Sequence, residues 1–473
     1  MVDNQEPEQS GSAPYNKWAI MIVLISGAFV AILNQTLLAT ALPHIMEDLN
    51  LQYNVAQWVQ SIFMLVNGIM IPITAFLIGR FSTRGLFLTA LGLFGFGTII
   101  CALSLHFPML MIGRIFQASG AGIIMPLMQT ILFLIFPKEE RGTAMGMFGL
   151  VIAFAPAIGP TLSGYMVDHF PWRSLFYIIL PIIIIDMIVA YFILKNVTKQ
   201  TFPKLDILSI ILSTLGFGGL LYGFSMAGGQ QGWSNTQVIV AMVIGTITLT
   251  WFIFRQMKLE QPILEFKVFK YKVFTLTTIL GMIVFLAMIG SMVILPLLMQ
   301  DMLGFTAFQS GLALLPGAVT MGLMNPITGR LFDKFGARWL SIIGLSILVV
   351  STFMFTILTT ETTFTYIAVL NAVRMLGIAF VMMPVTTAGL NELPLSIIPH
   401  GTAMNNTMRQ IAGAVGTALM VTVMSNSAIP SEGIQGLIHG VNVSFIFAGI
   451  FSIFALALSF FIKNEGSNEG EAS

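Results

Sequence analysis

The chain has 473 residues, of which 56% are hydrophobic and only 9% are charged. Soluble domains carry about 25% charged residues, so a chain this apolar, with a mean hydropathy of +0.90, is typical of membrane proteins and not of soluble enzymes. The 21 Lys and Arg against 20 Asp and Glu leave no basic excess for binding nucleic acid, and the single cysteine, Cys101, excludes an intrachain disulfide.

Fourteen stretches are long and apolar enough to cross a bilayer, for which a helix needs about 20 mainly apolar residues. They lie at 17–42, 55–80, 85–105, 108–135, 141–166, 173–194, 205–227, 236–256, 272–300, 308–330, 337–358, 364–389, 401–425 and 440–462. The sequence therefore predicts an all-α membrane protein with fourteen transmembrane helices.

The distribution of basic residues predicts the orientation. The first sixteen residues are polar and acidic and lack the features of a signal peptide, so we expect the first span to be retained. With the N-terminus inside, every basic residue outside the spans except Arg173 lies on the cytoplasmic side, as the positive-inside rule requires. We therefore expect a multi-pass protein of the cell membrane, bacterial by its type, with both termini in the cytoplasm.

Two charged connectors divide the fourteen spans into groups of six, two and six. The outer groups share a weak internal repeat: Pro72-Ile-Thr in the second span recurs at Pro326 in the tenth, and Arg114 in the fourth has a counterpart at Arg374 in the twelfth. Duplicated six-span halves are typical of transporters that rock about a central site. The predicted parts are a tail at 1–16, a half at 17–198, two additional helices at 199–262, a half at 263–463 and a tail at 464–473.

The loop after the tenth span reads Gly329-Arg330-Leu331-Phe332-Asp333-Lys334-Phe335-Gly336-Ala337-Arg338. It matches the signature G-x-x-x-D-R/K-x-G-x-R, and the chain as a whole resembles the fourteen-helix drug:proton antiporter branch of the major facilitator superfamily, in particular its lincomycin and multidrug exporters. The resemblance implies the major facilitator fold and a gating role for Gly329, Arg330, Asp333, Lys334, Gly336 and Arg338.

A gating role for Asp333 has a physical basis. Its carboxylate can accept hydrogen bonds from the backbone N–H groups at the N-terminus of a neighbouring helix, or it can form an ion pair with a basic side chain. Such a contact would latch two helices on the cytoplasmic side in one state. The equivalent loop of the first half carries Thr83 instead of an acid. The gate is therefore expected to depend more on its second-half copy, or to use hydrogen bonds alone in the first half.

The fifth span contains a second match, to the signature that the family associates with antiport rather than import. Its prolines and glycines remove backbone hydrogen bonds and allow close helix approach. The alternative is ordinary packing of small residues. The residues concerned are Pro156, Gly159, Pro160 and Gly164.

The fourth and first spans carry a buried arginine and an amide at similar depth. Arg114 and Gln117 are similar to the family element R-x-x-Q-G-x-G, and Arg114 lies ~8 Å below the outer end, where it must face water or a partner. Asn34 and Gln35 stand where the family usually has an aspartate-containing element. Asn34 lies ~12 Å deep, level with Arg114, and is expected to hydrogen-bond to it. Because asparagine does not titrate, the family's proton-carrying role does not transfer to Asn34.

Proton transfer then needs another acid. Asp186 is the only carboxylate well inside a span, so it is the first candidate, with Asp301 at the outer end of the ninth span as the next. A structural contact between Asp186 and a neighbouring helix is the alternative.

Further polar residues predict the lining of a central cavity. Asn406 and Arg409 of the thirteenth span lie in an element resembling N-N-T-x-R-Q-x-x-G-x-x-G, for which a glycine-lined packing seam is the alternative. In the second span polar residues and Met64 recur every three or four positions on one stripe. The predicted lining comprises Asn34, Gln35, Gln57, Gln60, Asn67, Gln117, Gln129, Asn325, Asn406 and Arg409.

The sequence thus predicts a proton-coupled multidrug exporter that moves amphipathic compounds by alternating access and functions as a monomer. It is not expected to be an enzyme or to need a metal or cofactor, since hydrolase, phosphate-binding and zinc motifs are missing. An exporter of an anionic metabolite or lipid remains an alternative because of Arg114, Arg374 and Arg409. A channel or a membrane-embedded enzyme is the alternative from a different class.

Overall fold

The computed structural model describes residues 16–198, 200–203, 205–228 and 232–462, and within these ranges every regular element is helical. Most of the two predicted tails lies outside the described residues. The fourteen long helices are α1 (Lys17–Asp48), α2 (Trp58–Arg80), α3 (Thr83–Ala102), α4 (Phe107–Ile135), α5 (Arg141–His169), α6 (Ser174–Ile193), α7 (Ile207–Ala227), α8 (Thr236–Lys258), α9 (Lys272–Leu297), α10 (Ala307–Phe335), α11 (Ala337–Met354), α12 (Phe364–Asn391), α13 (Ile398–Ser427) and α14 (Ile434–Ser459).

Short turns join several of these helices. A one-turn helix, Tyr53–Ala56, precedes α2, and a π-helical turn, Leu298–Met302, extends α9. The last helix begins six residues before the predicted span, because Gly433, at a φ of +60°, ends the preceding turn and allows α14 to start at once. Elsewhere the predicted spans and the helices coincide to within a few residues, apart from longer C-terminal ends on α1 and α10.

Polar side chains fix where helices begin. The Asn16 side chain accepts from the backbone N–H groups of Trp18 and Ala19 at the start of α1. At α10, Thr306 and Gln309 form a reciprocal capping box. These contacts satisfy N–H groups that have no partner inside the helix.

Thirteen of the fourteen helices are long and apolar enough to cross a membrane, and α13 is the exception within the described residues. Asn405, Asn406 and Arg409 lower its hydropathy. At 30 residues it is about 45 Å long, which is enough to span the hydrocarbon core. The predicted count of fourteen spanning helices therefore includes one that hydropathy alone misses.

The first and last six helices form two similar halves. In the first half, α3 crosses α4 so closely that a Cβ on Gly97 would lie 2.5 Å from the Gly113 carbonyl oxygen. In the second half, α11 crosses α12 in the same way, with Gly344 placed 2.6 Å from the Gly377 carbonyl oxygen by the same measure. Small residues permit such crossings between membrane helices. The sequence repeat between the halves thus corresponds to the same close helix crossing in each half.

The two additional helices, α7 and α8, form a hairpin beside the twelve-helix core. They cross at Gly216, Gly219 and Gly245, where any Cβ would meet backbone of the other helix at about 3 Å. One face of α7 lies against α2 and α13, so it contacts both halves. Most of α8 presents exposed apolar side chains, including Trp251 and Phe254.

Candidate functional site

Arg114 is fully buried between α1, α2 and α4 and has only neutral partners. Its Nη1 donates to Asn34 Oδ1 at 2.7 Å and to Gln117 Oε1 at 2.9 Å, and its Nε donates to the Val59 carbonyl oxygen at 3.0 Å. The guanidinium carbon lies 4.2 Å from the Phe63 ring centre. Nη2 has no hydrogen-bond partner among the described residues. The structure therefore places Asn34 level with Arg114, where the contact is a hydrogen bond and not an ion pair.

The second half holds a buried arginine in the same setting. Arg374 on α12 donates to Thr352 Oγ1 on α11 at 3.3 Å and to the Ala287 carbonyl oxygen on α9 at 2.7 Å. In the first half Gln117 on α4 likewise donates to Thr98 on α3, at 2.8 Å. Sequence reasoning did not find the two threonines, although they lie at corresponding places in the two halves.

The polar side chains predicted on one face of α13 contact different halves of the protein. Arg409 donates to Thr386 Oγ1 and, at 3.2 Å, to the Met382 carbonyl oxygen, both on α12. Asn406 instead reaches across to α4, where its Nδ2 donates to Gln129 Oε1 at 2.6 Å. Arg409 is thus inside the second half, while Asn406 joins the halves.

The glycines of α13 also form the close packing seam that was the alternative interpretation of this helix. A Cβ on Gly416 would lie 2.8 Å from the Leu286 carbonyl oxygen, and one on Gly413 would lie 2.9 Å from the Phe285 ring. Both contacts are with α9. Polar contacts and close glycine packing therefore occur on the same helix.

Asp333, in the gating motif, lies in the last turn of α10, which extends past the predicted end of the tenth span at residue 330, and it caps the N-terminus of α5. Its Oδ1 accepts from the Gly142 N–H at 2.7 Å, and its Oδ2 accepts from the Thr143 N–H at 2.8 Å and the Thr143 hydroxyl at 2.6 Å. Because α5 and α10 belong to different halves, this half-buried carboxylate links the halves. A negative charge also interacts favourably with the positive end of the α5 dipole.

The other residues of this motif have different surroundings. Arg330 and Lys334 are exposed, and Lys334 Nζ lies 5.2 Å from the Phe335 ring centre. Gly336 adopts a φ of +73°, which glycine tolerates without strain, and it begins α11. Arg338 is half-buried. Gly329 lies against the Gly142 carbonyl, so a side chain there would separate α5 from α10.

Other hydrogen bonds join the halves at the same end of the bundle, which we call the basic end because it includes Lys17, Arg80, Lys258 and Arg330. The Thr130 and Thr402 hydroxyls lie 2.8 Å apart, and Arg141 donates to Asn391 at 2.9 Å. Thr83, by contrast, bonds within its own half, where its N–H and hydroxyl donate to Asn196 at 2.9 and 3.1 Å. The basic end is therefore closed across the halves, and Asp333 has no acidic counterpart at Thr83.

The fifth-span motif lies toward the opposite end of the bundle. Gly159 is buried against Thr36 of α1, and Pro156 is half-buried. A Cβ on Gly164 would meet no heavy atom within 4 Å. The side chain of Pro160 lies outside the described residues.

The predicted cavity-lining amides vary in exposure. Gln35, Gln60 and Asn67 are half-buried, whereas Asn325 is 1% exposed and lies against Gly149 of α5. Neither polar atom of the Asn325 amide has a hydrogen-bond partner among the described residues. A buried amide without hydrogen-bond partners costs free energy, so this contact destabilises the interface between the halves.

The two predicted proton carriers have unlike environments. Asp186 on α6 is 5% exposed and accepts from the Ser26 hydroxyl on α1, and a Cβ on Gly27 would lie 2.9 Å from its Oδ2. Ser26 is two helical turns, about 12 Å, from Asn34 along α1. Asp301 is exposed, in the π-helical turn after α9.

Comparisons with known proteins match most of the chain. The model of the Major Facilitator Superfamily matches residues 24–417. The chain is 55% identical to an uncharacterized MFS-type transporter, YcnB, of Bacillus subtilis, over 95% of this chain and 96% of the relative. It is 42% identical to the lincomycin resistance protein LmrB of Listeria monocytogenes, over 97% and 99%. The structure of the proton:xylose symporter XylE aligns with a TM-score of 0.66 at 15% identity, covering 95% of this chain and 96% of XylE.

Proposed function

The chain belongs to the major facilitator superfamily, and we propose that it exports amphipathic compounds from the cytoplasm in exchange for protons by alternating access. The observation that carries the proposal is the contrast between the two ends of the bundle. Asp333 and three pairs of polar side chains join the halves at the basic end. Gly164, at the other end, faces open space. The relation to LmrB supports a drug-like substrate.

The orientation supports export from the cytoplasm. The basic end carries the short basic loops, which by the positive-inside rule lie in the cytoplasm with both termini. In this orientation the described state is closed to the cytoplasm and faces outward. An exporter in this state has released its substrate and is ready to take up protons.

We assign roles within this cycle from the contacts described above. The cluster of Asn34, Arg114 and Gln117 organises the first half around a buried cation, and Asp333 latches the cytoplasmic gate. Asp186 is the proposed proton carrier because it is a buried carboxylate beside the helix that carries Asn34, and its Oδ2 has no hydrogen-bond partner in the described part of the chain. The substrate lining comprises Gln35, Gln60, Asn67, Asn325, Asn406 and Arg409. Since both halves and both gates lie in one chain, the transport unit is a monomer.

A second candidate is export of an anionic metabolite or lipid. Arg114, Arg374 and Arg409 are each at most 5% exposed, and the hydrogen bonds that each makes within the described residues go to neutral acceptors. Buried cations without an acidic partner favour an anion nearby. Competition between matched anionic and cationic compounds separates the two candidates.

The test is transport by the purified protein in vesicles with an imposed pH gradient. A panel of amphipathic compounds is offered to the wild type, to Arg114→Ala and to the control Lys258→Ala, which changes an exposed basic residue outside the gating motif. We expect gradient-driven export by the wild type, loss of export by Arg114→Ala with normal insertion, and export by the control. Flux that ignores the gradient, or near-normal export by Arg114→Ala, would contradict the proposal.

A further inference from the structure

Arg409 of α13 is a buried cation, and the helices that it faces carry no acid. Its described hydrogen bonds both come from Nη2 and go to neutral oxygens of α12, the Thr386 hydroxyl and the Met382 carbonyl. The sequences of α9, α12 and α13 contain no Asp or Glu. Ionised side chains inside a membrane pair with one another, with backbone carbonyls or with water. The surroundings of Arg409 therefore favour a bound anion.

The Nε–H group of Arg409 is the part of the guanidinium that is free to bind one. Nε is buried and has no hydrogen-bond partner among the described residues. A Cβ on Gly281 of α9 would lie 3.7 Å from Nε and 3.9 Å from Nη2. Apart from the backbone of α9, it would meet no other heavy atom of the described chain within 4 Å. A buried space of at least the size of a methyl group therefore lies between Gly281 and the Nε–H group.

The seam between α9 and α13 encloses this space. Toward the outer end, a Cβ on Gly413 would lie 2.9 Å from the Phe285 ring, and toward the basic end a Cβ on Gly401 would lie 3.6 Å from the Phe274 ring. These contacts and the one at Gly281 keep a single register along two parallel helices. The space is therefore bounded on both sides by packed side chains.

Two more buried polar atoms lie one turn nearer the basic end. Thr278 precedes Gly281 by three residues, so it lies on the same face of α9. Asn405 precedes Arg409 by four residues on α13, and the register places it level with Thr278. Thr278 and Asn405 are 2% and 3% exposed, and neither Thr278 Oγ1 nor Asn405 Oδ1 has a hydrogen-bond partner within the described ranges. The adjacent Thr277, by contrast, donates to a carbonyl of its own helix at 2.8 Å.

We propose that Arg409, Thr278 and Asn405 form a binding site for a small monovalent anion, with chloride as its occupant. The Nε–H group and the Thr278 hydroxyl supply two hydrogen-bond donors. Rotation of the Asn405 amide exchanges its oxygen for an NH2 group, which supplies a third. Hydrogen bonds from a cation to an anion are stronger than those between neutral groups. The proposal goes beyond export, because the ion stays beside Arg409 as its counterion and is not cargo.

The charge and the enclosure of the site favour chloride over other occupants. Water would satisfy the same polar atoms but would leave the charge of Arg409 without a counter-charge. A carboxylate at the end of a larger compound would need a passage for the rest of that compound through the seam. A monatomic anion needs no such passage and supplies the missing charge.

The test measures binding of radiolabelled chloride to the purified full-length protein in lipid nanodiscs. Thermal unfolding in chloride and in gluconate, at equal ionic strength, reports whether each variant is folded. Gly281→Ala fills the space, and its Cβ would lie at an ordinary contact distance from Arg409. Thr278→Val removes the hydroxyl and keeps the shape. The matched controls are Gly311→Ala, whose Cβ would meet no heavy atom within 4 Å, and Thr277→Val, whose hydroxyl bonds to its own helix.

We expect the wild type to bind chloride saturably and to unfold at a higher temperature in chloride than in gluconate. Chloride affinity should be weaker by at least about tenfold in Gly281→Ala and Thr278→Val and within about twofold of the wild type in the two controls. If the wild type shows no saturable binding, water alone occupies the space and the proposal is wrong. Unchanged affinity in Gly281→Ala would place the ion elsewhere and would also overturn it.

Hexanoate at the same concentration is the competitor that separates a free ion from a carboxylate group. We expect chloride to stay bound, and its displacement by hexanoate would overturn the assignment to a monatomic ion. Binding is measured without a pH gradient. An absent gradient-driven flux would therefore contradict the proposed export function and not the anion site.

Discussion

At the scale of single residues, this chain stabilises buried cations with neutral acceptors. Arg114 and Arg374 are fully buried, and each donates to a backbone carbonyl and to neutral side chains. The sequence predicted the contact between Asn34 and Arg114, since depth along a helix follows from residue count. It did not predict Thr98 and Thr352, because a threonine in an apolar span carries no sign of its partner.

Asn34→Asp is predicted to change the charge preference of transport. The new carboxylate would lie within hydrogen-bond distance of Arg114 Nη1, form an ion pair and cancel the cation. We expect the ratio of cationic to anionic export to rise by about tenfold, equivalent to about 1.4 kcal/mol. Efflux of matched cationic and anionic compounds at equal expression measures this ratio. Gln35→Glu, which adds the same charge one residue along, is the control, and equal ratios in the two variants would show that pairing with Arg114 is not the cause.

A pH-dependent contact is predicted outside the membrane. Asp48 lies ten residues beyond Leu38, where the candidate span of α1 ends, and hydrogen bonds from Arg173 and Trp172 hold its pKa below the usual aspartate range. The stabilisation is therefore present at neutral pH and disappears as the pH falls through that lowered pKa.

Asp48→Asn is expected to lower Tm by about 1–2 °C at pH 7, as for a partly exposed ion pair, and to approach the wild type as the pH falls through the lowered pKa of Asp48. Thermal unfolding from pH 3 to 7 measures the difference, with the adjacent Glu47→Gln as control. An offset that stays constant with pH would show that the charge of Asp48 contributes nothing.

At the scale of helices, glycine spacing on α5 determines how closely the halves approach. Gly142, Gly146 and Gly149 repeat every three or four residues, and each lies against α10. Such spacing forms one smooth stripe on a helix, and small residues on that stripe allow backbones to touch. Gly164, farther along α5, has no heavy atom within 4 Å of the position of a Cβ.

Gly146→Ala is predicted to hinder closure of the basic end. Its Cβ would lie 2.5 Å from the Asn325 carbonyl oxygen and 3.0 Å from Pro326 Cα, and these backbone atoms cannot move aside independently. We expect export to fall about tenfold or more and cysteines placed at the gate to become more accessible from the cytoplasm. Gly311→Ala on α10 is the matched control, since its Cβ would meet no heavy atom within 4 Å and Gly311 lies in no family motif. An equal loss of export in both variants would mean that the change in helix propensity from glycine to alanine limits transport, and not the close contact between α5 and α10.

Asp333→Asn is predicted to weaken the latch without disturbing substrate binding. An amide keeps one acceptor oxygen but loses the charge that interacts with the α5 N-terminus, and its NH2 group faces N–H donors. Turnover should fall severalfold while the affinity of substrate binding stays within about twofold. Kinetics in vesicles and equilibrium binding in detergent give the two quantities, with Glu392→Gln, at an exposed carboxylate outside the gating motif, as control. Lost binding at unchanged turnover would contradict a gating role.

The sequence predicts the number and bounds of the helices well because bilayer thickness imposes their length. The polar residues of α13 lower its mean hydropathy, although the count of apolar stretches still predicted a span at 401–425. The place of α7 and α8 could not be predicted, because helices that face lipid and helices that face protein are similarly apolar. The open or closed state of each gate was also beyond prediction, since one sequence encodes both states.

At the scale of the whole molecule, the hydrogen bonds between the two halves are unevenly distributed along the bundle. Contacts between the halves concentrate at the basic end, where Thr130 meets Thr402 and Asp333 caps α5. The additional helix α7 lies against both α2 and α13, so it contacts one helix of each half. Alternating access requires the basic-end contacts to break in every cycle.

That requirement gives a prediction for the whole cycle. Thr130→Cys combined with Thr402→Cys places two thiols where hydroxyls now lie 2.8 Å apart, one in each half. We expect mild oxidation to join them in the resting protein, to reduce gradient-driven export to background and to allow recovery after reduction. Each single variant controls for oxidation damage. Gly164→Cys with Gly311→Cys controls for the site, because those positions face open space and should not join directly. If the joined protein exports at the normal rate, the halves do not separate at the basic end and the transport path lies elsewhere.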